Sequence, residues 1–222
     1  MTFCSMTAVA VKETIARHKP ATMWDIGNQR FTAVGHGDFR STADFYRAYG
    51  VEYRALDIND KMEADIVDLN HPVDLPPRDL VVNNGTSEHL FDQAQLFETI
   101  HNISSSLMLH MLPFSPWWNH GFFNYNPILF RDLAAANRYA QEFIWIGNRS
   151  GEYVDFTGNS DIFDGKRAGA VRAALGDTPE ATGYFVITLL RKTGGSPFQY
   201  PMQGRYLADI GSDGIRDAYN QR

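Results

Sequence analysis

The sequence has little cysteine: Cys4 is the single one among 222 residues, which excludes an internal disulfide. A chain without disulfides suits a reducing compartment. No histidine or aspartate lies close to Cys4 in the sequence to activate its thiol. We therefore do not expect this cysteine to be a catalytic nucleophile.

The sequence also lacks the long apolar runs and the basic excess of membrane and nucleic-acid proteins. No apolar segment reaches the roughly 20 residues that span a bilayer, and no basic patch followed by an apolar run opens the chain. The formal net charge is −6 and the isoelectric point is near 5.6, which gives no general attraction for nucleic acid or anionic lipid. We expect a cytoplasmic protein with a small-molecule substrate and without nucleic-acid or membrane partners. A homodimer is left open.

The rest of the composition is that of an ordinary globular chain, with 44% hydrophobic and 21% charged residues. This length suffices for one well-buried α/β core, and we expect a single domain over residues 1–222. Residues 147–182 are polar and rich in glycine, and we interpret them as an insertion within that domain.

Two apolar runs, each ending in an acid, organise the N-terminal half. They are Thr22-Met-Trp-Asp-Ile-Gly-Asn28 and Tyr53-Arg-Ala-Leu-Asp57. Their spacing predicts a βαβ unit, in which both runs are neighbouring parallel strands with their acids at the carboxyl ends. At that edge, Gly27 would let the backbone approach a ligand closely, and Asp57 could accept hydrogen bonds from ribose hydroxyls. The implied ligand is an adenosine derivative.

The remaining pattern alternates strands with helices. Predicted strands cover Thr22–Ile26, Val51–Asp57, Ala64–Asp68, Asp79–Asn83, Ser106–Leu112, Glu142–Ile146 and Gly183–Arg191. Predicted helices cover Met6–His18, Thr42–Tyr49, Leu90–Ile103, a run from Pro127, and Phe163–Leu175. We therefore predict a Rossmann-like, doubly wound α/β fold. It has a seven-stranded, mostly parallel sheet, an antiparallel last strand and helices on both faces.

The glycine-rich turn of dinucleotide-binding proteins is missing. Such a turn reads G-x-G-x-x-G, whereas this chain has Asp25-Ile-Gly-Asn-Gln-Arg-Phe31. The single glycine argues against NAD or FAD. An acid that closes the first strand would repel a pyrophosphate but would suit a cofactor with an ammonium or sulfonium charge.

In this order of elements, with an acid and a glycine turn after strand one and an acid ending strand two, the chain resembles the class I S-adenosylmethionine-dependent methyltransferases. The likeness covers roughly Thr22 to Arg191, and the glycine-rich first motif of the family is reduced here to Asp25-Ile-Gly27. Asn119–Pro127, with Gly85–His89 upstream, also resembles a subgroup of methyltransferases found near glycan and small-molecule biosynthetic genes.

The resemblance implies S-adenosylmethionine as the cofactor and assigns residues to it by position. Asp25 and Gly27 would line its methionine part, Asp57 its ribose, Asp68 with Leu69 its adenine, and Asn83 with Asn84 its sulfonium. The full set of predicted cofactor-binding residues is Asp25, Gly27, Asn28, Asp57, Ile58, Asp68, Leu69, Asn83 and Asn84.

Histidines beside the predicted ligand edge are the candidate catalytic residues. His89 follows Glu88, and this pair could hold a base and its orienting carboxylate; His120 is the other candidate base. His110 lies inside strand five, and we interpret it as a core residue. No H-x₃-H or C-x₂-C spacing is present, so no metal site is predicted.

Aromatic and amide residues around His120 suit a pocket that stacks a flat or sugar-like substrate. The predicted substrate-binding residues are Trp117, Trp118, Asn119, Asn124 and Tyr125. The favoured function is methyl transfer to a small polar molecule, most simply at oxygen. Two alternatives remain. Because the glycine-rich motif is reduced, the chain could be a cofactor-binding or partner module that has lost its catalytic activity. The other alternative is a nicotinamide-dependent enzyme on a degenerate Rossmann fold.

Overall fold

A computed structural model describes residues 2–59, 63–159, 168–176 and 183–204 of the chain. The strands are β1 Thr22–Ile26, β2 Glu52–Asp57, β3 Asp65–Ile66, β4 Arg78–Asn84, β5 Ser104–Ser115, β6 Ala140–Gly147, β7 Tyr153–Asp155 and β8 Tyr184–Arg191. The helices are α1 Ser5–His18, α2 Thr42–Ala48, α3 Gln93–Asn102, α4 Pro127–Asn137 and α5 Ala168–Leu175, and a short 3-10 helix covers Ser87–His89. No helix in these ranges is both long and apolar enough to cross a bilayer.

All strands join one sheet in the order β3-β2-β1-β4-β5-β8-β6-β7. The first five in this order are parallel, and β8 runs antiparallel to both of its neighbours, β5 and β6. The Rossmann-like α/β fold with an antiparallel last strand is therefore confirmed.

The number of strands differs from the expected seven, because the short strand β7 pairs with the edge of β6. Its three residues are exposed or only partly buried, so they carry no apolar run that would mark a strand in the sequence. β7 and α5 both lie within the stretch interpreted as an insertion. The first part of the helix predicted over Phe163–Leu175, residues 163–167, lies outside the described residues.

Alternation along the central strands directs side chains to two separate cores. Met23 of β1 faces α1 and α2 in one core, whereas Trp24 faces α3 and α4 in the other. This buried-on-both-faces pattern is typical of parallel strands covered by helices. Local signals place the helices: Ser41 caps α2 by accepting a hydrogen bond from the Asp44 backbone N–H (3.0 Å), and Pro127 begins α4.

The strand order reverses between β1 and β4. From β1 the chain builds outward through β2 to β3, then returns to place β4 on the other side of β1. Open α/β sheets bind ligands in the crevice that this reversal creates at the carboxyl ends of the strands. A ligand site is therefore expected among the residues that follow β1, β2, β4 and β5.

Candidate functional site

Asp25 is a buried carboxyl group near the end of β1. The Tyr53 hydroxyl donates a hydrogen bond to Asp25 Oδ2 (3.1 Å), but Oδ1 has no partner within the described residues. Burial raises the pKa of Asp25 to about 8; the Tyr53 hydrogen bond opposes this shift, and the nearby charge of Asp57 adds to it. At neutral pH this carboxyl group is mainly protonated, and in the described part of the chain one of its oxygens has no hydrogen-bond partner.

Asp57 holds the turn after β1 against the end of β2. Its Oδ2 accepts a hydrogen bond from the Asn28 backbone N–H (2.9 Å), and its Oδ1 accepts from the side-chain amide (2.7 Å) and the backbone N–H (3.3 Å) of Asn59. A carboxylate offers about four lone-pair positions, so these bonds leave about one for a ligand hydroxyl. Ile58, the next residue, is exposed.

Gly27 has a φ of +93°, which favours glycine, and its backbone packs against a protein side chain. A Cβ at this position would lie 2.0 Å from Thr86 Oγ1. The close approach that the sequence assigned to a ligand is therefore made by Thr86, from the loop after β4. This contact ties the turn after β1 to that loop.

Asp68 and Leu69 lie in the connection from β3 to β4. The exposed Asp68 carboxylate accepts hydrogen bonds from the Asn70 backbone (2.9 Å) and side chain (3.0 Å), which lower the pKa of Asp68. Leu69 is buried in the core on the α3 and α4 side. Asn70 in turn accepts a hydrogen bond from the Phe91 backbone N–H (3.1 Å), so this turn braces the loop after β4.

Asn83 and Asn84 end β4 and point to opposite faces of the sheet. The Asn83 amide lies 3.2 Å from His110 Nδ1, and the Thr7 hydroxyl of α1 donates to Asn84 Oδ1 (3.4 Å). Asn83 Oδ1 and Asn84 Nδ2 are buried without a partner among the described residues. Burial lowers the pKa of His110 to about 3, and its ring packs near Phe130, so it lies in the core as expected.

Glu88, His89 and His120 come together in front of these strand ends. Glu88 is 0% exposed, and its Oε1 lies 3.4 Å from His120 Nε2 and 3.9 Å from His89 Nε2. Burial raises the pKa of Glu88 to about 7 and lowers the pKa of both histidines. We call these three residues the Glu-His-His cluster. The structure thus unites all three predicted catalytic residues.

Gly121 permits this arrangement. A Cβ on Gly121 would lie 2.7 Å from the Glu88 carbonyl oxygen and 2.8 Å from Glu88 Cγ. The next residue, Phe122, donates its backbone N–H to the same carbonyl oxygen (2.7 Å). The loop after β5 is thereby fixed against the short helix after β4.

The predicted substrate-binding residues do not form one surface. Trp117 is buried and donates its indole N–H to the Tyr184 carbonyl oxygen (2.8 Å), although its ring also lies 4.8 Å from that of His120. Trp118 is 79% exposed. Asn119 occupies the left-handed region, with φ of 52°.

Asn124 and Tyr125 line a separate cavity of about 600 Å³, between α3, α4 and residues 198–203. The Tyr125 hydroxyl donates to Gln93 Oε1 (2.7 Å), and the Gln93 amide donates to the Ser87 carbonyl oxygen (2.7 Å). This chain of hydrogen bonds connects the cavity with the loop that carries the Glu-His-His cluster.

Sequence reasoning missed Tyr53, Thr86 and Gly121 as site residues. Tyr53 could have been found, because it pairs with Met23 and alternation then places it on the face of Asp25. Thr86 and Gly121 act through contacts between loops, for which the sequence has no periodic signal.

Comparison with known proteins gives matches in structure alone: no family model and no curated protein matches the sequence. The magnesium protoporphyrin IX methyltransferase ChlM of Synechocystis PCC 6803, with bound S-adenosylhomocysteine, is similar at TM-score 0.54 and 9% identity, over 85% of this chain and 83% of that one. The YcgJ protein of Bacillus subtilis is similar at TM-score 0.51 and 12% identity, over 85% and 99%. The N-methyltransferase NodS of Bradyrhizobium japonicum, also with S-adenosylhomocysteine, is similar at TM-score 0.50 and 8% identity, over 85% and 86%.

These similarities agree with the strand order and with the antiparallel β8 found above. The chain therefore has the fold of the class I S-adenosylmethionine-dependent methyltransferases.

Proposed function

We propose that this protein is an S-adenosylmethionine-dependent methyltransferase acting on a hydroxyl group of a small polar molecule. The observation that carries the proposal is a group of buried polar atoms without partners at the carboxyl ends of β1 and β4. Within the described residues, the atoms that lack a hydrogen-bond partner are Asp25 Oδ1, Asn83 Oδ1, Asn84 Nδ2 and both carboxylate oxygens of Glu88, whose Oε1 has only the ion-pair contact with His120. Buried polar atoms are costly unless they are hydrogen-bonded, so a ligand is expected at this edge.

The cofactor side is supported by the two acids at the ends of β1 and β2. A carboxylate at Asp25 would attract the ammonium or sulfonium charge of S-adenosylmethionine, and Asp57 retains about one acceptor position for a ribose hydroxyl. Burial holds the pKa of Asp25 near 8, so its carboxyl group carries a proton at neutral pH. The positive charge of a bound cation would favour loss of that proton from Asp25. S-adenosylmethionine would supply the methyl group.

The acceptor side is supported by the Glu-His-His cluster. Both histidine side chains are partly exposed while Glu88 lies behind them, although His120 Nε2 itself is buried. The cluster is therefore accessible to a hydroxyl group mainly from the side of His89. A base in this place would take the hydroxyl proton as the oxygen bonds the methyl carbon, while the methyl–sulfur bond breaks and S-adenosylhomocysteine leaves. His89 and His120 are the candidates for this base, and Glu88 would orient it.

The first test is thermal melting of the purified protein with S-adenosylhomocysteine, S-adenosylmethionine, NAD and ATP in parallel. A ligand that binds only the folded state raises its stability, by about 2.7 kcal/mol at a concentration of about 100 times Kd. We expect a rise with the first two ligands alone. A rise with NAD alone would favour the nicotinamide-dependent alternative.

The second test separates the two sides of the site. We expect Asp57→Ala to weaken binding of S-adenosylhomocysteine, measured by calorimetry. His120→Ala should keep that binding and lose methyl transfer from labelled S-adenosylmethionine to a panel of hydroxylated acceptors. If both variants bind and transfer like the parent, this assignment of roles is wrong.

One observation favours the alternative of a module without chemistry. Thr86 packs against Gly27, at the turn where a cofactor would need access. On that hypothesis S-adenosylhomocysteine would not bind, and the exposed aromatic residues, including Trp118, Phe91 and Phe122, would belong to a dimer interface. Sedimentation of the purified protein together with the melting test separates the two functions.

A further inference from the structure

We propose that Glu88, His89 and His120 bind a divalent transition-metal ion, with Zn²⁺ as the best fit. The site itself is inferred from the geometry of the Glu-His-His cluster. Its role in activating an acceptor hydroxyl rests on the methyl transfer proposed above.

The spacing of the three side chains is that of a metal site. One ligand atom from each of the three residues can be chosen so that all lie within 4.8 Å of one another. Bonds of about 2.0–2.2 Å to one ion would place such atoms roughly 3–3.5 Å apart in a tetrahedral arrangement. The distance of 3.4 Å from Glu88 Oε1 to His120 Nε2 is already in that range, and the 3.9 Å to His89 Nε2 needs only a small contraction.

The unpartnered atoms of Glu88 point to the same conclusion independently. This side chain is 0% exposed, and neither of its oxygens has a hydrogen-bond partner among the described residues. His120 Nε2, the nitrogen closest to it, also has no hydrogen-bond partner there. A buried carboxylate without hydrogen bonds is strongly unfavourable, and an ion between Glu88 Oε1 and His120 Nε2 would satisfy both of these atoms.

The chemical type of the three ligand atoms indicates which metal ion would bind. Two imidazoles and one carboxylate suit Zn²⁺ and similar divalent transition metals, whereas Mg²⁺ prefers oxygen ligands alone. The His89 side chain is 45% exposed, whereas His120 Nε2 and both Glu88 oxygens are buried, so the site opens to solvent on the side of His89. Three protein ligands with an open position are typical of a catalytic zinc site.

The position of the site indicates a role for the ion in methyl transfer. Glu88 and His89 follow β4, whose last residues, Asn83 and Asn84, are the predicted neighbours of the transferred methyl group. An acceptor hydroxyl on the open position of the ion would release its proton to solvent water more readily, as metal-bound water does. Its oxygen would then bond the methyl carbon of S-adenosylmethionine as the methyl–sulfur bond breaks. In that arrangement the imidazoles hold the ion, and this role replaces that of the base for which His89 and His120 are the candidates above.

The test measures zinc in the purified full-length protein after dialysis against Zn²⁺ and then against metal-free buffer, with Mg²⁺ in a parallel sample. We expect about one retained Zn²⁺ per chain and no retained Mg²⁺. Glu88→Gln and His120→Ala should each lower zinc affinity at least about tenfold, since even residues outside the ligand set cost about 10–100-fold. Competition titration with a chromophoric chelator gives the affinities.

His71→Ala is the matched control, because His71 Nε2 lies 3.7 Å from the exposed Asp68 carboxylate in a comparable histidine–acid pair. It should retain zinc like the parent. No stoichiometric zinc in the parent, or parental affinity in both Glu88→Gln and His120→Ala, would overturn the metal site. Binding of S-adenosylhomocysteine to the zinc-free parent is measured in the same samples. It tests the proposed methyltransferase function separately, because none of the cluster residues is assigned to that ligand.

Discussion

At the scale of single residues, Asp25 combines a local signal with an unusual environment. The sequence marks it as an acid near the end of a buried strand, and the structure leaves one of its oxygens without a partner among the described residues. Desolvation outweighs the Tyr53 hydrogen bond, which is why the pKa of Asp25 rises to about 8 from an ordinary value of 3.8. The ligand-free fold therefore favours the protonated carboxyl group.

This shift predicts how Asp25→Asn changes stability with pH. The folded protein holds the Asp25 proton up to about pH 8, whereas the unfolded chain releases it near pH 3.8, so Asp25 lowers the parent's stability progressively as the pH rises between these values. Each unit of pKa corresponds to about 1.4 kcal/mol. The free energy of unfolding of Asp25→Asn, relative to that of the parent, should therefore increase from pH 4 to pH 8, by up to several kcal/mol. Chemical denaturation at a series of pH values measures this difference.

Asp38→Asn provides the control, since Asp38 is exposed. Its difference from the parent should stay nearly constant over the same pH range. A constant difference for Asp25→Asn as well would contradict the role of burial at this site.

At the scale of elements, the site depends on how the loops after β4 and β5 meet. Gly121 has no room for a Cβ beside the backbone and side chain of Glu88. We expect Gly121→Ala to push these loops apart and to lower the free energy of unfolding by about 1–3 kcal/mol, the usual cost of overpacking. Thermal or chemical denaturation measures the loss.

Gly195→Ala is the comparison for this substitution, because a Cβ there would meet no atom of the described residues within 4 Å. It should leave stability within about 0.5 kcal/mol of the parent. If the zinc site exists, Gly121→Ala should also weaken zinc binding while Gly195→Ala does not. Equal stability of both variants would show that the contact at Gly121 is not tight.

At the scale of the whole molecule, the position of a strand in the single sheet determines its local stability, which is higher at the centre than at the edge. β8 is buried along nearly all of its length and pairs with β5 on one side and β6 on the other. β3 has two residues, and the described structure gives it a single partner, β2, at the edge of the sheet. Backbone amides in segments with little burial and few strand neighbours exchange their hydrogens with solvent first.

We therefore expect the amides of β8 to exchange much more slowly than those of β3. Hydrogen–deuterium exchange measured by mass spectrometry resolves the two strands. Comparable rates would mean that the sheet opens as one unit and that its edge is as stable as its centre.

Most of the fold could be predicted from the sequence because its signals are local. The apolar runs of β1, β4 and β8 mark buried strands, Pro127 marks a helix start, and these predictions match the described elements closely. β7 was missed because a three-residue exposed strand has no pattern of its own. The predicted cofactor residues Asp25 and Asp57 also follow from their places at strand ends, and their roles stay predictions.

The sequence by itself determined the α/β class, the alternation of strands and helices, and the acids at the carboxyl ends of β1 and β2, since each depends on neighbours along the chain. Only the tertiary structure decided that Glu88 and His89 meet His120, that Thr86 fills the space beside Gly27, and that Trp117 and Tyr125 belong to different surroundings. These contacts join loops that follow different strands. Their geometry depends on how the whole sheet brings those loops together, and spacing along the chain does not encode it.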